Sequence, residues 1–255
     1  MDALRDIPQL YGLIGYPLSH SFSKRYFTEK FRREGIAGHQ YELFPMEHAG
    51  ALPGLVARYP NLRGLNVTIP HKQKVMAYLD AIDEEARRVG AVNTIRIAEG
   101  RLTGYNTDVY GFERSLLEFL AAAGHTADGL KALVLGTGGA SKAVVFVLEK
   151  LGIGFALVSR QQGDGILSYG DLDAGVMASH RLLINTTPLG MWPNEDSLPG
   201  IPYEYLGPEH LLYDLVYNPE RTAFMARGIS RGALACNGLA MLQLQAEKAW
   251  EIWTA

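Results

Sequence analysis

The stretch GLKALVLGTGGASKAVVFVLEKLG, residues 129–152, decides the fold. An apolar run, KALVL, leads into a glycine turn, and AVVFVLEKLG follows with apolar residues at helical spacing, the order of a βαβ unit. Within it Gly136, Gly138 and Ser141 fit G-x-G-x-x-small. The first glycine permits a tight turn, the second lets the backbone approach a pyrophosphate, and a small third residue lets helix and strand pack closely. Free N–H groups and the helix dipole favour an anion at that point. An ordinary glycine-rich βα turn is the plainer reading of such a motif, but the strand before it and the helix behind it favour dinucleotide binding. Lys142 does not make a triphosphate-binding loop, because the G-x-x-x-x-G-K-[ST] spacing is missing.

Downstream, GFALVSR supplies the next strand, and RLLINTTP and HLLYDLVY read as later strands of one parallel, doubly wound sheet. The end of the second strand separates the two nicotinamide cofactors: a carboxylate there binds the adenosine ribose, whereas an arginine accommodates a 2′-phosphate. In LVSRQQGDG that place is held by Arg160, with no carboxylate before Asp164, which favours NADP over NAD. A surface arginine at a strand end is the alternative.

Upstream, LYGLIGY, QYELFPM and LRGLNVTIP read as strands, and a polar loop containing SHSFS precedes a helical stretch toward Glu34. HKQKVMAYL continues with helical spacing. AVNTIRIAEGRLTGYN reads as a hairpin turning at Glu99-Gly100, and TDVYGFERSLLEFLAAAG as a helix that stops at Gly124 and joins two domains. The last segment, GLAMLQLQAEKAWEIW, is an amphipathic helix.

Polar side chains concentrate in the first part. Ser21 and Ser23 stand at i and i+2 before a helix, where they cap it or hold a carboxylate. NVTIPHK carries Asn66, Thr68 and Lys72; GAVNT carries Asn93; GYNTDVYG carries Asn106, Thr107 and Asp108, the last also a candidate N-cap. A dinucleotide domain needs a partner site that holds a small polar substrate, and carbonyl reduction needs a proton donor. A lysine beside a carboxylate suits that role.

The chain has 255 residues, 47% hydrophobic and 20% charged, enough for two modest domains or one large α/β unit. A net charge of -3 gives no electrostatic case for nucleic acid. No apolar run reaches the ~18 residues of a membrane span. The N-terminal segment lacks a basic region with a cleavable apolar core. The single cysteine, Cys236, excludes an intrachain disulfide and a cysteine-based zinc cluster, and the seven histidines show no tight metal-ligand spacing. These features point to a cytoplasmic protein with no metal.

GYPLSHSFS, NVTIPHK, GAVNT, GYNTDVYG, GTGGAS, SR, NTTPLGM, DLVYNPERT and GLAMLQLQAEKAW occur in one order that resembles the shikimate dehydrogenase family, nearly end to end. That family reduces 3-dehydroshikimate with NADPH, in the pathway to chorismate and the aromatic amino acids. The resemblance implies an α/β substrate domain over residues 1–105, a Rossmann-like NADP-binding domain over 106–236, and a C-terminal helix, 237–255, returning to the first domain. It makes Lys72 and Asp108 the catalytic pair. It assigns Ser21, Ser23, Asn66, Thr68, Asn93, Tyr217 and Gln245 to the substrate, with Gln243 as the neighbouring alternative to Gln245. On the cofactor side it places Gly136, Gly138, Gly139, Ala140, Ser141, Arg160, Thr186 and Gly238. The partners it implies are small molecules only, with neither nucleic acid nor membrane, in a monomer or homodimer. Three positions depart from the family pattern: Lys24 stands for a common proline, Val109 for a frequent glycine, and SRQQ for the cofactor signature NRT. Competing readings are an NAD-dependent quinate/shikimate dehydrogenase and a non-catalytic sensor of NADP and shikimate. A folate-type dehydrogenase fits the paired serines and Gln245 poorly.

Overall fold

A computed structural model describes residues 2–18, 22–160 and 163–255. The chain divides into two compact units, one of residues 1–107 with 246–255, the other of residues 108–245.

The first unit is built on six strands: β1 (Gln9–Gly15), β2 (His39–Pro45), β3 (Leu62–Val67), β4 (Ala81–Ile82), β5 (Thr94–Ala98) and β6 (Arg101–Tyr105). They lie in the order β2-β1-β3-β5-β6-β4. β1 runs parallel to β2 and β3, while β5 pairs antiparallel with both β3 and β6. The hairpin turns at Glu99 and Gly100, both at positive φ (51° and 73°), a conformation that glycine adopts without steric cost. Helices α1 (Phe22–Arg33), α2 (Leu52–Arg58) and α3 (Glu84–Val89) complete this part, and α4 (Thr107–Ala122) begins on its last residue.

Alternation along β1 divides the core. Leu10 and Ile14 face one cluster with Leu52, Leu65 and Ile95; Tyr11 and Leu13 face another with Phe27, Tyr41 and the terminal-helix residues Ala246, Ala249 and Trp253. Residues 246, 249 and 253 recur at helical spacing, and the two alanines keep that face thin against the sheet.

The segment HKQKVMAYL differs from its helical reading. It forms a 3₁₀ turn over Lys74–Tyr78, ending in extended backbone at Leu79. Val75 is buried in the core with Met76 and Leu79 against it, so the apolar spacing is met. The chain must join the sheet at Asp80, whose N–H donates to Leu102 O, and this leaves no room for successive α-turns.

The second unit holds β7 (Lys131–Leu135), β8 (Gly154–Ser159), β9 (Ile166–Ser168), β10 (Leu182–Asn185), β11 (Leu211–Asp214) and β12 (Leu234–Cys236) in the order β12-β11-β10-β7-β8-β9. Every pairing is parallel. Numbered within the unit this is 6-5-4-1-2-3, the Rossmann order, with its switch point between β7 and β10. Helices α5 (Gly139–Lys150), α6 (Ala174–Ser179), α7 (Ala223–Ile229) and α8 (Leu239–Thr254) follow in the chain. β7 and β10 are buried along nearly their whole length, as a sheet covered on both faces requires. β8 ends at Ser159 and its parallel neighbour β9 begins at Ile166.

Candidate functional site

In the first unit the side chains singled out from sequence meet around the ends of β3 and β5. Asn66 on β3 pairs in register with Thr94 on β5. Its Nδ2 donates to Thr94 Oγ1 (3.3 Å), and its Oδ1 accepts from the Tyr41 hydroxyl (2.8 Å). Thr94 Oγ1 in turn donates to Asn93 Oδ1 (3.1 Å). Asn93 Oδ1 also accepts from the Thr107 N–H (2.7 Å), and Asn93 Nδ2 donates to Thr107 Oγ1 (3.1 Å). Asn66, Asn93, Thr94 and Thr107 are all buried, so these bonds are what make burial of so many polar groups tolerable. Each asparagine amide spends one of its two N–H groups inside this chain.

Ser23 lies in the first turn of α1 and hydrogen-bonds the buried Tyr41 hydroxyl. Ser21 lies outside the described residues. Thr68 is half-buried just past β3; its N–H donates to Ile14 O (2.9 Å), and its carbonyl accepts from the His71 N–H (2.9 Å). Lys72 follows, half-buried, and its carbonyl accepts from the Val92 N–H at 2.7 Å. His71 is fully buried, with its Nε2 bonded to Met46 O and its Nδ1 unpartnered. The imidazole therefore serves as a buried peg beneath the turn that carries Lys72, with no access to solvent. The lysine's backbone is fixed on both sides while its side chain stays partly accessible.

In the second unit Asp108 stands inside the first turn of α4, half-buried, which replaces the N-cap alternative. Gln245 is buried on α8, whereas Gln243 is exposed. A Cβ at Gly111 would meet Met241 O at 2.6 Å and Gln245 Cβ at 3.0 Å, so the absence of a side chain lets α4 and α8 cross there. Tyr217 follows β11 and is half-buried. Gly238 has no space for any side chain, since a Cβ would stand 2.1 Å from Leu215 O.

The glycine loop opens a cavity of about 680 Å³ whose lining includes Gly136, Gly138, Arg160, Tyr169, Thr186 and Thr187. Gly136 has φ +108°, and a Cβ there would lie 2.8 Å from Thr186 Oγ1. Thr186 Oγ1 donates to Leu135 O (2.9 Å), tying the loop after β10 to the end of β7. Gly138 precedes α5, and Gly139, Ala140 and Ser141 form its first turn, which contains no acidic residue. Ser141 is buried, its hydroxyl donating to Gly138 O (2.6 Å), as a small residue at the third motif position should be. Gly238 is not among the residues that line this cavity.

These residues fit a dinucleotide. Gly138 and Gly139 have open space where a side chain would stand, at a helix N-terminus of the kind that suits an anion, and Arg160 brings a guanidinium to the same cavity. No carboxylate is present among the lining residues described. Tyr169 was not foreseen. It is half-buried, and desolvation raises its hydroxyl above the ordinary tyrosine range against the opposing pull of the Arg160 charge. Its signal in the sequence was the short link after β8, which brings residue 169 to the cavity. No group of three or more His, Cys, Asp or Glu able to hold a metal ion occurs among the described residues, and no described helix is long and apolar enough to cross a membrane.

Comparisons with known proteins show what the chain is similar to. Residues 13–95 match the family model of the shikimate dehydrogenase substrate binding domain. A shikimate dehydrogenase (NADP(+)) of Desulforamulus reducens is 37% identical over 96% of this chain and 90% of its own length. The crystal structure of shikimate 5-dehydrogenase from Thermus thermophilus, in complex with NADP(H) and shikimate, is 34% identical at a TM-score of 0.81, covering 96% of this chain and 93% of that one. Quinate dehydrogenase from Corynebacterium glutamicum, in complex with NAD, is 25% identical at a TM-score of 0.85, covering 96% and 93%.

Proposed function

The chain belongs to the shikimate dehydrogenase family, and from that membership we propose that it catalyses the reversible NADP-dependent reduction of 3-dehydroshikimate to shikimate. NADPH, when bound, supplies the hydride that reaches the carbonyl carbon. Lys72 donates the proton to the oxygen that becomes the hydroxyl, and solvent restores it; in the oxidative direction its neutral amine takes that proton. Asp108 supports the ammonium charge. Ser21 and Ser23 hold the substrate carboxylate, and Asn66, Thr68, Asn93, Tyr217 and Gln245 orient the ring and its hydroxyls. The N–H groups that Asn66 and Asn93 keep outside their shared hydrogen-bond chain suit substrate oxygens.

One observation carries the cofactor assignment: Arg160 shares a cavity with Gly136 and Gly138, and the described lining contains no carboxylate to favour a free ribose. Gly136, Gly138 and the first turn of α5 would hold the pyrophosphate, Arg160 the 2′-phosphate, with Thr186 beside them. Gly238, outside this lining, would contribute by its close backbone approach to Leu215. The reading extends to a cytoplasmic enzyme working as a monomer or homodimer, which sedimentation of the purified protein would test.

The activity is tested by following reduced-nicotinamide absorbance with shikimate and quinate, each against NADP and NAD. Turnover of shikimate with NADP is expected, with kcat/KM for NADP above that for NAD by at least about tenfold, the worth of one charged phosphate contact. Preference for quinate with NAD would transfer the assignment to the quinate branch. Tight binding of NADP and shikimate without any turnover would make the protein a sensor.

A further inference from the structure

Tyr41 holds a position that the reaction itself does not explain. It lies on β2, is 1% exposed, and stacks on Phe27 with ring centroids 4.8 Å apart. β1 runs between β2 and β3, so the tyrosine spans two strand spacings, about 9.5 Å, to reach Asn66. There its hydroxyl donates to Asn66 Oδ1 at 2.8 Å, while Ser23 bonds the same hydroxyl.

An asparagine amide has two ends of nearly equal size and opposite hydrogen-bonding character, so its neighbours decide which end faces where. A phenol has one hydrogen. That hydrogen goes to Asn66 Oδ1, which leaves the phenol oxygen to accept from Ser23, while the Asn66 nitrogen donates to Thr94. Burial holds the phenol well above the usual ionisation range of tyrosine, so it keeps its proton throughout the working pH range. The result is an Asn66 amide oriented as a donor, linked through one hydroxyl to a serine on another element.

We propose that Tyr41 is a positioning residue for the substrate: its hydroxyl fixes Asn66 with its spare N–H presented outward and couples that amide to Ser23. This rests on the shikimate dehydrogenase reading, in which Asn66 and Ser23 contact the substrate. The site is thereby biased toward acceptor oxygens, either ring hydroxyls or a carboxylate.

Tyr41→Phe tests this, since it deletes the hydroxyl and keeps the stacked ring. KM for shikimate should rise about three- to tenfold, the loss of one neutral hydrogen bond, with KM for NADP unchanged within about twofold. In an Asn66→Ala background Tyr41→Phe should add a smaller factor than it does alone, because the route through Asn66 is gone and only that through Ser23 remains. An unchanged KM for shikimate, an equal rise in both KM values, or the same factor in both backgrounds would overturn the proposal. Should Tyr41→Phe fail to fold, Thr94→Val frees the other end of the Asn66 amide and must give the same split between the two KM values. A wild type inactive on shikimate would overturn the functional reading and this proposal together. An active wild type with an indifferent Tyr41→Phe would overturn the proposal alone.

Discussion

Gly64 and Trp253 meet so closely that a Cβ on Gly64 would stand 2.4 Å from the indole Cδ1. The indole Nε1 donates to Ile95 O at 3.0 Å, which lays the ring across β3 and β5. This contact, with Ala246 and Ala249 a turn or two earlier, is why the last residues of α8 belong to the first unit. Gly64→Ala should therefore destabilise the protein by about 1–3 kcal/mol through overpacking. Urea unfolding would measure it, and Trp253→Leu in the same chain should recover part of the loss. Equal stability of Gly64→Ala and wild type would mean that the helix end does not seat there.

A second anchor of that helix end is ionic. Lys30 is 5% exposed, and its Nζ lies 3.1 Å from Glu34 and 2.7 Å from Glu247, which also accepts from the Tyr26 hydroxyl. Both carboxylates are more than a third exposed and so partly screened by water. Glu247→Ala should cost about 1–2 kcal/mol by leaving the buried ammonium with Glu34 alone and removing the acceptor of the Tyr26 hydroxyl, and Lys30→Met should cost less, because it removes the charge with the pair. Denaturant titration of the two variants gives the ranking; the reverse order would contradict it.

Asp214 makes stability depend on pH. It is fully buried at the end of β11, and desolvation pushes its carboxyl up to about 6, against hydrogen bonds from Thr222, Val216 N and Asn185. The folded state then binds more protons than the unfolded state between pH ~4 and ~6, so this group's contribution is complete below about pH 4 and is lost as pH rises through about 6. The shift corresponds to about 3 kcal/mol. Asp214→Asn cannot ionise. Wild type should exceed it most at pH 4, with the gap shrinking by about 2–3 kcal/mol by pH 7 in unfolding titrations. A gap independent of pH would show that Asp214 does not titrate in this window.

Arg160→Ala should weaken binding of 2′,5′-ADP by at least about tenfold and leave binding of ADP unchanged, because a guanidinium contributes chiefly to the added phosphate. Competition against nicotinamide fluorescence would read both. Equal losses for the two ligands would place Arg160 away from the 2′-phosphate.

Much of this was legible in the sequence where local chemistry speaks alone. KALVL, the glycine turn and the helix behind it announced β7 and α5, and Glu99-Gly100 announced the hairpin. Three strands, Ala81–Ile82, Ile166–Ser168 and Leu234–Cys236, are too short to show a period, and they exist because longer strands lie beside them. HKQKVMAYL had true helical spacing, but the sheet claimed the chain at Asp80 before an α-helix formed. Tyr41 was hidden for a different reason: its partner is 25 residues away and a whole strand lies between them, so no motif contains the pair. Lys72 was legible through its motif, whereas its support by His71, Met46 and Val92 became visible only in the fold.

In the proposed reaction, proton transfer at Lys72 accompanies hydride transfer to NADP. The direct measurement is kcat for shikimate oxidation by Lys72→Ala, with thermal unfolding and the Kd for NADP determined on the same sample. A fall of at least about a hundredfold in kcat, with unfolding midpoint and Kd unchanged, is the predicted result, since a positioned acid or base contributes that much or more. Turnover near that of the wild type would remove Lys72 from the mechanism.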